Sequence, residues 1–178
     1  ILCEMLPPDE EAAAAENAEA EPVAEENGTG EQTGFAGFGN NVRITSRPRP
    51  DQDPNVYVNM TPEGEFGLFR AQGSVVLKSD EMNLRADLLE YDGTEDLVEA
   101  LYNVYVKQND IEADCGRMLY NLNTEKITLS VSPIVRERRE NAILNISEMD
   151  SFIIRRNEDG TRSTEAIGGP EGEPRITW

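Results

Sequence analysis

Histidine is absent from the 178-residue sequence, and cysteine occurs only twice. Without histidine no Ser-His or Cys-His pair can form, and the commonest general base of enzyme catalysis is missing. Cys3 and Cys115 have neither the spacing of a zinc site nor the number of a disulfide framework. We therefore expect no enzymatic activity, no metal ion and no cofactor, and we predict that Cys115 is a small apolar residue of the core.

Positive charge is also scarce, since 16 basic residues stand against 35 acidic ones and the formal net charge is −19. The imbalance is concentrated in residues 1–40, which carry ten acidic and no basic side chains. Residues 71–156 are only mildly acidic, with sixteen acidic and ten basic side chains. The sequence shows no basic stripe that would neutralise phosphates, so we do not expect nucleic acid as a partner.

Long apolar runs are missing as well. No segment reaches the ~18 apolar residues that predict a membrane-spanning helix. Ile1-Leu2-Cys3 is too short for the apolar centre of a signal peptide. We expect that any export signal or membrane anchor lies upstream of residue 1.

Composition divides the chain into three regions. Residues 1–40 are rich in Ala, Glu and Gly and are predicted to form a flexible acidic linker or tether, in which Phe35 and Phe38 either dock on the domain or have no structural role. Residues 41–156 alternate apolar and polar side chains and are predicted to form one all-β domain. Residues 157–178 are rich in Gly, Pro and charge and are predicted to form a mobile tail.

The domain contains an internal repeat, because residues 73–131 give nearly the same sequence twice, shifted by 29 positions. Each copy reads as a strand, a short turn, a longer alternating strand and a tyrosine-bearing turn. The alternation slips inside both longer strands, at Leu88-Leu89 and at Met118-Leu119, which predicts a bend or bulge. A third, degraded copy is predicted over residues 131–156.

Aliphatic residues recur on one face of these strands. Such a face suits an ordinary closed core and a trough for acyl chains equally well, and the residues alone leave both alternatives open. The positions predicted to line such a trough are Val75, Leu77, Met82, Leu84, Ala86, Leu89, Val104, Val106, Ile111, Ala113, Met118, Ile127 and Leu129.

Paired carboxylates occur at Asp80-Glu81, Glu95-Asp96 and Asp110-Glu112. They are the candidates for glycosidase or calcium chemistry. All of them fall at predicted turns, where solvated charges are expected, and none belongs to a loop with oxygen ligands at alternating positions. We interpret them as turn residues.

The first copy of the repeat contains Gly73-Ser-Val-Val-Leu-Lys-Ser, Met82-Asn-Leu-Arg-Ala-Asp87 and Glu90-Tyr91-Asp92, and the second copies of these segments lie over residues 103–121. These segments resemble the repeat of the OstA-like family, the periplasmic lipopolysaccharide-transport components of Gram-negative bacteria. Two departures occur: Ser74 stands where asparagine is usual, and Cys115-Gly116 shifts the Ala-Asp step.

The resemblance implies a twisted, open β-jelly roll that holds the acyl chains of lipid A between two sheets and lies in the periplasm. It also implies pairing through sheet edges with other OstA-like domains, or with a second copy of this chain. The predicted edges are Val42–Thr45, with Val42 and Ile44, and Phe152–Arg156, with Phe152 and Ile154. The alternative is a scaffolding protein that assembles through the same edges without carrying lipid.

A phosphorylated lipid would be repelled by so acidic a chain unless basic residues gather at the mouth of the trough. The candidates for such a cluster are Arg85, Arg117, Arg136, Arg138, Arg139, Arg155 and Arg156.

Overall fold

The computed structural model describes residues 38–47, 56–62, 66–169 and 172–178. These residues form twelve antiparallel strands, and the part described contains no helix that is long and apolar enough to cross a membrane. The strands are β1 (Arg43–Arg47), β2 (Val56–Met60), β3 (Phe66–Lys78), β4 (Met82–Asp92), β5 (Leu97–Gln108), β6 (Ile111–Asn121), β7 (Lys126–Ser130), β8 (Ile134–Arg139), β9 (Ala142–Ser147), β10 (Met149–Arg156), β11 (Arg162–Gly168) and β12 (Arg175–Thr177).

Hydrogen bonding connects all twelve strands into one unclosed sheet, which the four long strands β3 to β6 fold into two layers. The front layer consists of β1, residues 74–78, 82–86, 104–108 and 111–115 of the long strands, β8, β9 and β12. The back layer consists of β2, residues 66–72, 88–92, 97–101 and 117–121, β7, β10 and β11. The predicted all-β, open jelly-roll fold is confirmed.

The long strands pass between the layers along a line that we call the crease. Pairing there shifts register between Gln72 and Val75, between Arg85 and Leu88, and between Leu101 and Val104. Backbone with positive φ gathers at the same line, including Gly73 (φ 107), Tyr102 (φ 62) and Asn103 (φ 51). Buried side chains change phase at the crease in β4 and β6, whereas β3 and β5 keep their alternation. The register shifts reconcile the two kinds of strand, so apolar residues on both sides of the crease point to the same interior.

One buried cluster fills the space between the layers. It contains Leu77 and Leu84 from the front layer and Leu89 and Leu129 from the back layer, each with 1% or less of its surface exposed. Buried side chains change phase between Ala86 and Leu89 in β4 and between Cys115 and Met118 in β6. The predicted bend therefore lies at the expected place in both copies of the repeat.

The third copy departs from the first two because its strands are interrupted at the crease. β7 and β10 lie in the back layer, whereas β8 and β9 lie in the front layer. Val131 (φ 63), Ser132 (φ 55) and Glu148 (φ 57) make the two passages between the layers.

The predicted mobile tail is wrong for most of residues 157–178. β11 pairs with β10 over seven residue pairs, and β12 pairs with Ser147, Ile146 and Asn145 of β9. The segment alternates too weakly to be recognised as a strand, because β11 carries mostly polar side chains and β12 is only three residues long. The predicted linker lies outside the described residues up to position 37, whereas Phe38 is part of the domain.

Candidate functional site

All thirteen residues predicted to line a trough lie in the single buried cluster between the layers. Each has at most 5% of its surface exposed, so in this structure the two layers close upon each other. Among the residues the structure describes, no polar or charged residue is buried within this interior. The interior therefore offers dispersion contacts and an apolar medium, and no fixed polar anchor.

Opposite the crease, the hairpin turns of the two layers face each other across an opening that we call the mouth. A cavity of about 270 Å³ lies there. Tyr120, Ile127 and Ile154 line it from the interior, and charged residues of both layers surround it. The charged and polar residues of this rim are Glu81, Gln108, Asn109, Glu125, Arg156 and Arg162.

An ion pair spans the mouth. Arg162 Nη1 of β11 in the back layer lies 3.0 Å from Asp110 Oδ1 in the β5–β6 turn of the front layer. Both side chains are partly exposed, so the pair contributes no more than about 1 kcal/mol. A contact this weak can hold the mouth closed and still be broken readily.

Phe38 also joins the two layers at the mouth. Its side chain is completely buried and packs edge-to-face on Tyr120, with 5.3 Å between the ring centroids. Its carbonyl oxygen accepts a hydrogen bond of 2.5 Å from Ser79 Oγ in the β3–β4 turn. The Asn41 side-chain amide donates to the Asp80 carboxylate in the same turn, at 2.9 Å. Of the two alternatives for Phe38, docking on the domain is the one observed.

Burial raises the pKa of two titratable groups of the interior, Tyr120 and Cys115. It raises the pKa of Tyr120 to about 12, with a further contribution from the carboxylates of Glu125 and Glu81. Burial likewise raises the pKa of Cys115 to about 11, so the thiol is protonated at neutral pH and is a poor nucleophile. Cys115 lies in the apolar cluster, as predicted.

The apolar interior reaches the surface at both ends of the sheet. At one end Val56 and Val58 of β2 pair with Ala71 and Phe69, so their side chains share the inner face. They are nevertheless 58% and 43% exposed. At the other end Ile176 of β12 pairs with Ile146 on the inner face and is 52% exposed. The inner face therefore carries apolar side chains continuously from β2 at one end of the sheet to β12 at the other.

Only one of the two predicted edge strands lies at an edge. β1 pairs with β3 alone among the described strands, and Ile44 packs half-buried against the core, as does Val42 just before the strand. The prediction is wrong for Phe152 and Ile154, because β10 lies between β7 and β11 and both side chains are buried. The strands observed at the edges are β1 and β12 in the front layer and β2 and β11 in the back layer.

The proposed cluster of arginines is largely dispersed. Of those seven, Arg156 lines the mouth cavity, where it lies 3.6 Å from Glu125. Arg117 and Arg155 form ion pairs on the outer face of the back layer. Sequence reasoning missed Arg162, the second cation at the mouth, because it had been assigned to the tail.

These features define a class of protein: a folded, unclosed antiparallel sheet with an aliphatic interior, a mouth opposite the crease and, among the described strands, an edge strand at each end of each layer. LptH of Pseudomonas aeruginosa, the LptA-homologous periplasmic component of the lipopolysaccharide transport device, has a similar structure. The TM-score is 0.53 at 11% sequence identity, and the alignment covers 77% of this chain and 94% of LptH. The chain therefore shares the fold of LptH. No protein-family model matches the sequence, and no curated protein sequence matches it either.

Proposed function

We propose that this domain is a periplasmic lipid-binding module that accommodates acyl chains between its two layers and carries or bridges lipopolysaccharide towards the outer membrane. The observation that carries the proposal is the apolar interior, which is exposed at the β2 end and at the β12 end. An interior that served only as a core would gain by covering Val56, Val58 and Ile176. The likeness to LptH in fold is consistent with the same function.

Lipid uptake would require the layers to separate at the mouth. The sheet is continuous at the crease, whereas at the mouth the layers meet through side chains such as Phe38, Tyr120 and the Arg162–Asp110 pair. Each acyl chain would replace contacts between aliphatic side chains with contacts to methylene groups, which are of similar energy. Such an exchange permits a chain to slide, because no specific hydrogen bond has to be broken.

The lining role of the thirteen residues is part of this proposal. Their side chains are the ones that an acyl chain would contact after separation of the layers. The role of Arg156 and Arg162 would be to bind anionic groups of the lipid at the mouth, where both cations lie beside the cavity. Phosphate groups would then compete with Glu125 and Asp110 for the two guanidinium groups.

The test uses β2, which offers a matched pair of exposed positions. Val58 lies on the inner face and is 43% exposed, whereas Tyr57 lies on the outer face and is 54% exposed. The protein and its variants Val58→Asp and Tyr57→Asp are incubated with lipopolysaccharide and examined by native mass spectrometry. A carboxylate on the apolar path must lose its hydration when lipid passes, so Val58→Asp should lower lipid occupancy at least about tenfold.

Tyr57→Asp should retain the lipid occupancy of the unmodified protein, and both variants should unfold at similar urea concentrations. Failure of the unmodified protein to retain any lipid would overturn the proposal. Equal losses in the two variants would show that the inner face of β2 has no special role in lipid binding.

The second candidate function is scaffolding by edge pairing without lipid. It is favoured by the unpaired edges β1 and β2 at one end and β11 and β12 at the other, which are templates for strand addition. In either function the partners would be other jelly-roll domains of this kind or further copies of this chain. Lipid occupancy in native mass spectrometry distinguishes the two functions, because scaffolding requires no lipid. Light scattering over a range of concentrations tests the edge pairing itself, and a strict monomer contradicts edge pairing between copies.

A further inference from the structure

The outer face of the front layer carries a row of basic side chains that crosses the sheet. Register places Arg43 beside Lys78, Lys78 beside Asn83, Asn83 beside Lys107, Lys107 beside Glu112 and Glu112 beside Arg136. We call Arg43, Lys78, Lys107 and Arg136 the basic row. It spans six strands, which at the usual strand spacing is about 24 Å. These cations are far apart in sequence, which is why the chain itself shows no basic stripe.

Two further cations widen the row. Arg85 lies on β4 two residues from Asn83 towards the crease, and its guanidinium group is 5.6 Å from the centre of the Tyr105 ring. Arg138 lies on β8 two residues from Arg136 towards the mouth. Two carboxylates are interspersed. The Glu112 carboxylate lies 2.6 Å from the Lys107 ammonium group, and the Asp114 carboxylate lies 4.0 Å from the Arg136 guanidinium group. The part of the chain that is described gives no ion pair to Arg43, Lys78, Arg85 or Arg138. Positive charge is therefore in excess on this face, although the whole chain is acidic.

The back layer provides the contrast. Its outer face also carries arginines, but Arg70, Arg117 and Arg155 each lie within 3.2 Å of a glutamate. An ordinary solvated sheet surface is balanced in this way. Within the described part of the back layer's outer face, Lys126 is the one cation without an ion pair, whereas the front layer has four.

Apolar side chains accompany the cations on the β8–β9 side of the same face, where Ile134 lies towards the crease and Ile143 towards the mouth. Ile134 pairs with Asp114 and Ile143 pairs with Arg138, so both isoleucines point outward from the front layer. They are 46% and 50% exposed. Basic residues beside exposed aliphatic residues on one surface are typical of proteins that lie at a lipid interface.

We propose that the outer face of the front layer docks on an anionic membrane surface, with the basic row over the lipid phosphates and Ile134 and Ile143 at the level of the headgroups. An acidic protein or a nucleic acid would complement the charge but would leave the two isoleucines without a role. The excess of acid elsewhere on the chain would favour this orientation, because an anionic surface repels the other faces. The docking concerns the outer face alone and does not depend on lipid binding between the layers.

Vesicle flotation of the 178-residue chain tests the inference. One set of vesicles contains phosphatidylcholine alone, and the other contains phosphatidylcholine and phosphatidylglycerol in equal parts. We expect binding to the second set only, and weaker binding as salt is raised. Each basic side chain near such a surface contributes about fivefold in affinity, so Arg43→Gln with Lys78→Gln should weaken binding about 25-fold.

Two further variants make the outcome specific. Lys126→Gln with Arg155→Gln removes the same charge from the back layer and should leave vesicle binding within about twofold, since both residues lie on the other outer face. Ile143→Ser keeps the charge, and should weaken binding to vesicles without changing binding to soluble polyglutamate.

Absence of binding to the anionic vesicles, or equal losses in the two double variants, would overturn the inference. Binding to polyglutamate or to duplex DNA without binding to vesicles would overturn it in favour of an acidic macromolecule. Circular dichroism of every variant confirms that the fold is unchanged.

Discussion

The passage of β6 from the front layer to the back layer depends on the absence of a side chain at position 116. Gly116 N donates a hydrogen bond of 2.9 Å to the carbonyl oxygen of Val131. A Cβ atom on residue 116 would lie 2.6 Å from Val131 Cγ1 and 2.7 Å from Val131 Cβ. Because real Cβ atoms essentially never approach so closely, Gly116→Ala must displace the segment that leads from β7 to β8.

The size of the effect follows from the same contact. Overpacking of this kind destabilises by roughly 1–3 kcal/mol. A loss of about 2 kcal/mol would lower Tm by about 4–8 °C for a chain of this length. Val131→Gly removes both clashing carbon atoms, and it also relieves a β-branched residue at φ 63, where a side chain costs about 1–2 kcal/mol. Val131 is 63% exposed, so its truncation loses little packing.

The assay is a double-mutant cycle measured by urea unfolding. We expect Gly116→Ala to cost about 2 kcal/mol when Val131 is present and less than about 0.5 kcal/mol in the Val131→Gly background, which gives a coupling free energy of about 1.5 kcal/mol. An equal cost of Gly116→Ala in both backgrounds would refute the reasoning, since the close approach to Val131 would then not limit the residue at position 116. An unchanged m-value is required for the comparison.

Three further predictions concern the interior and the mouth. Stability should fall as pH rises from 9 towards 11, because the pKa of Cys115 is raised from 9.0 to about 11 and the folded state resists ionisation, and Cys115→Ala should reduce this fall. Tyr120, whose pKa is raised from 10.0 to about 12, should add a second fall between those values. Arg162→Ala should cost less than about 1 kcal/mol yet speed hydrogen exchange in the turn at Asp110. Phe38→Ala should cost about 3 kcal/mol, measured by urea unfolding.

Each of these has an outcome that contradicts it. A midpoint of urea unfolding that falls equally between pH 9 and 11 in Cys115→Ala would assign the alkaline sensitivity to other groups. Unchanged exchange at residues 108–110 in Arg162→Ala would show that the ion pair does not hold the mouth. A change of less than about 1 kcal/mol in Phe38→Ala would show that the ring contact with Tyr120 contributes little.

The facing of side chains within each long strand, and the position of the bend, could be predicted from the sequence. Alternation in β4 and β6 assigns Met82, Leu84, Ile111 and Ala113 to one face, and this assignment requires only that successive side chains of a strand point in opposite directions. The slip in the alternation located the crease within two residues, because an extra residue in a strand reverses every following side chain. Repetition of the same slip made a folded-over sheet the natural prediction.

Pairing between distant segments could not be predicted from the sequence in the same way. Nothing in the polar sequence Arg162–Gly168 shows that it covers β10, and this pairing is what makes Phe152 and Ile154 interior residues and β11 the edge. Backbone hydrogen bonds between strands do not depend on side-chain identity. A polar strand can therefore pair in a register that cannot be predicted from the pattern of apolar residues.

Which residues face inward and where the strands bend could be read from the sequence, because both depend on neighbours within a few positions. The edge strands, the contact of Arg162 with Asp110 across the mouth and the row of Arg43, Lys78, Lys107 and Arg136 became evident from the folded chain alone. Those properties arise from register between segments that are far apart in the chain, and register is set by the whole sheet.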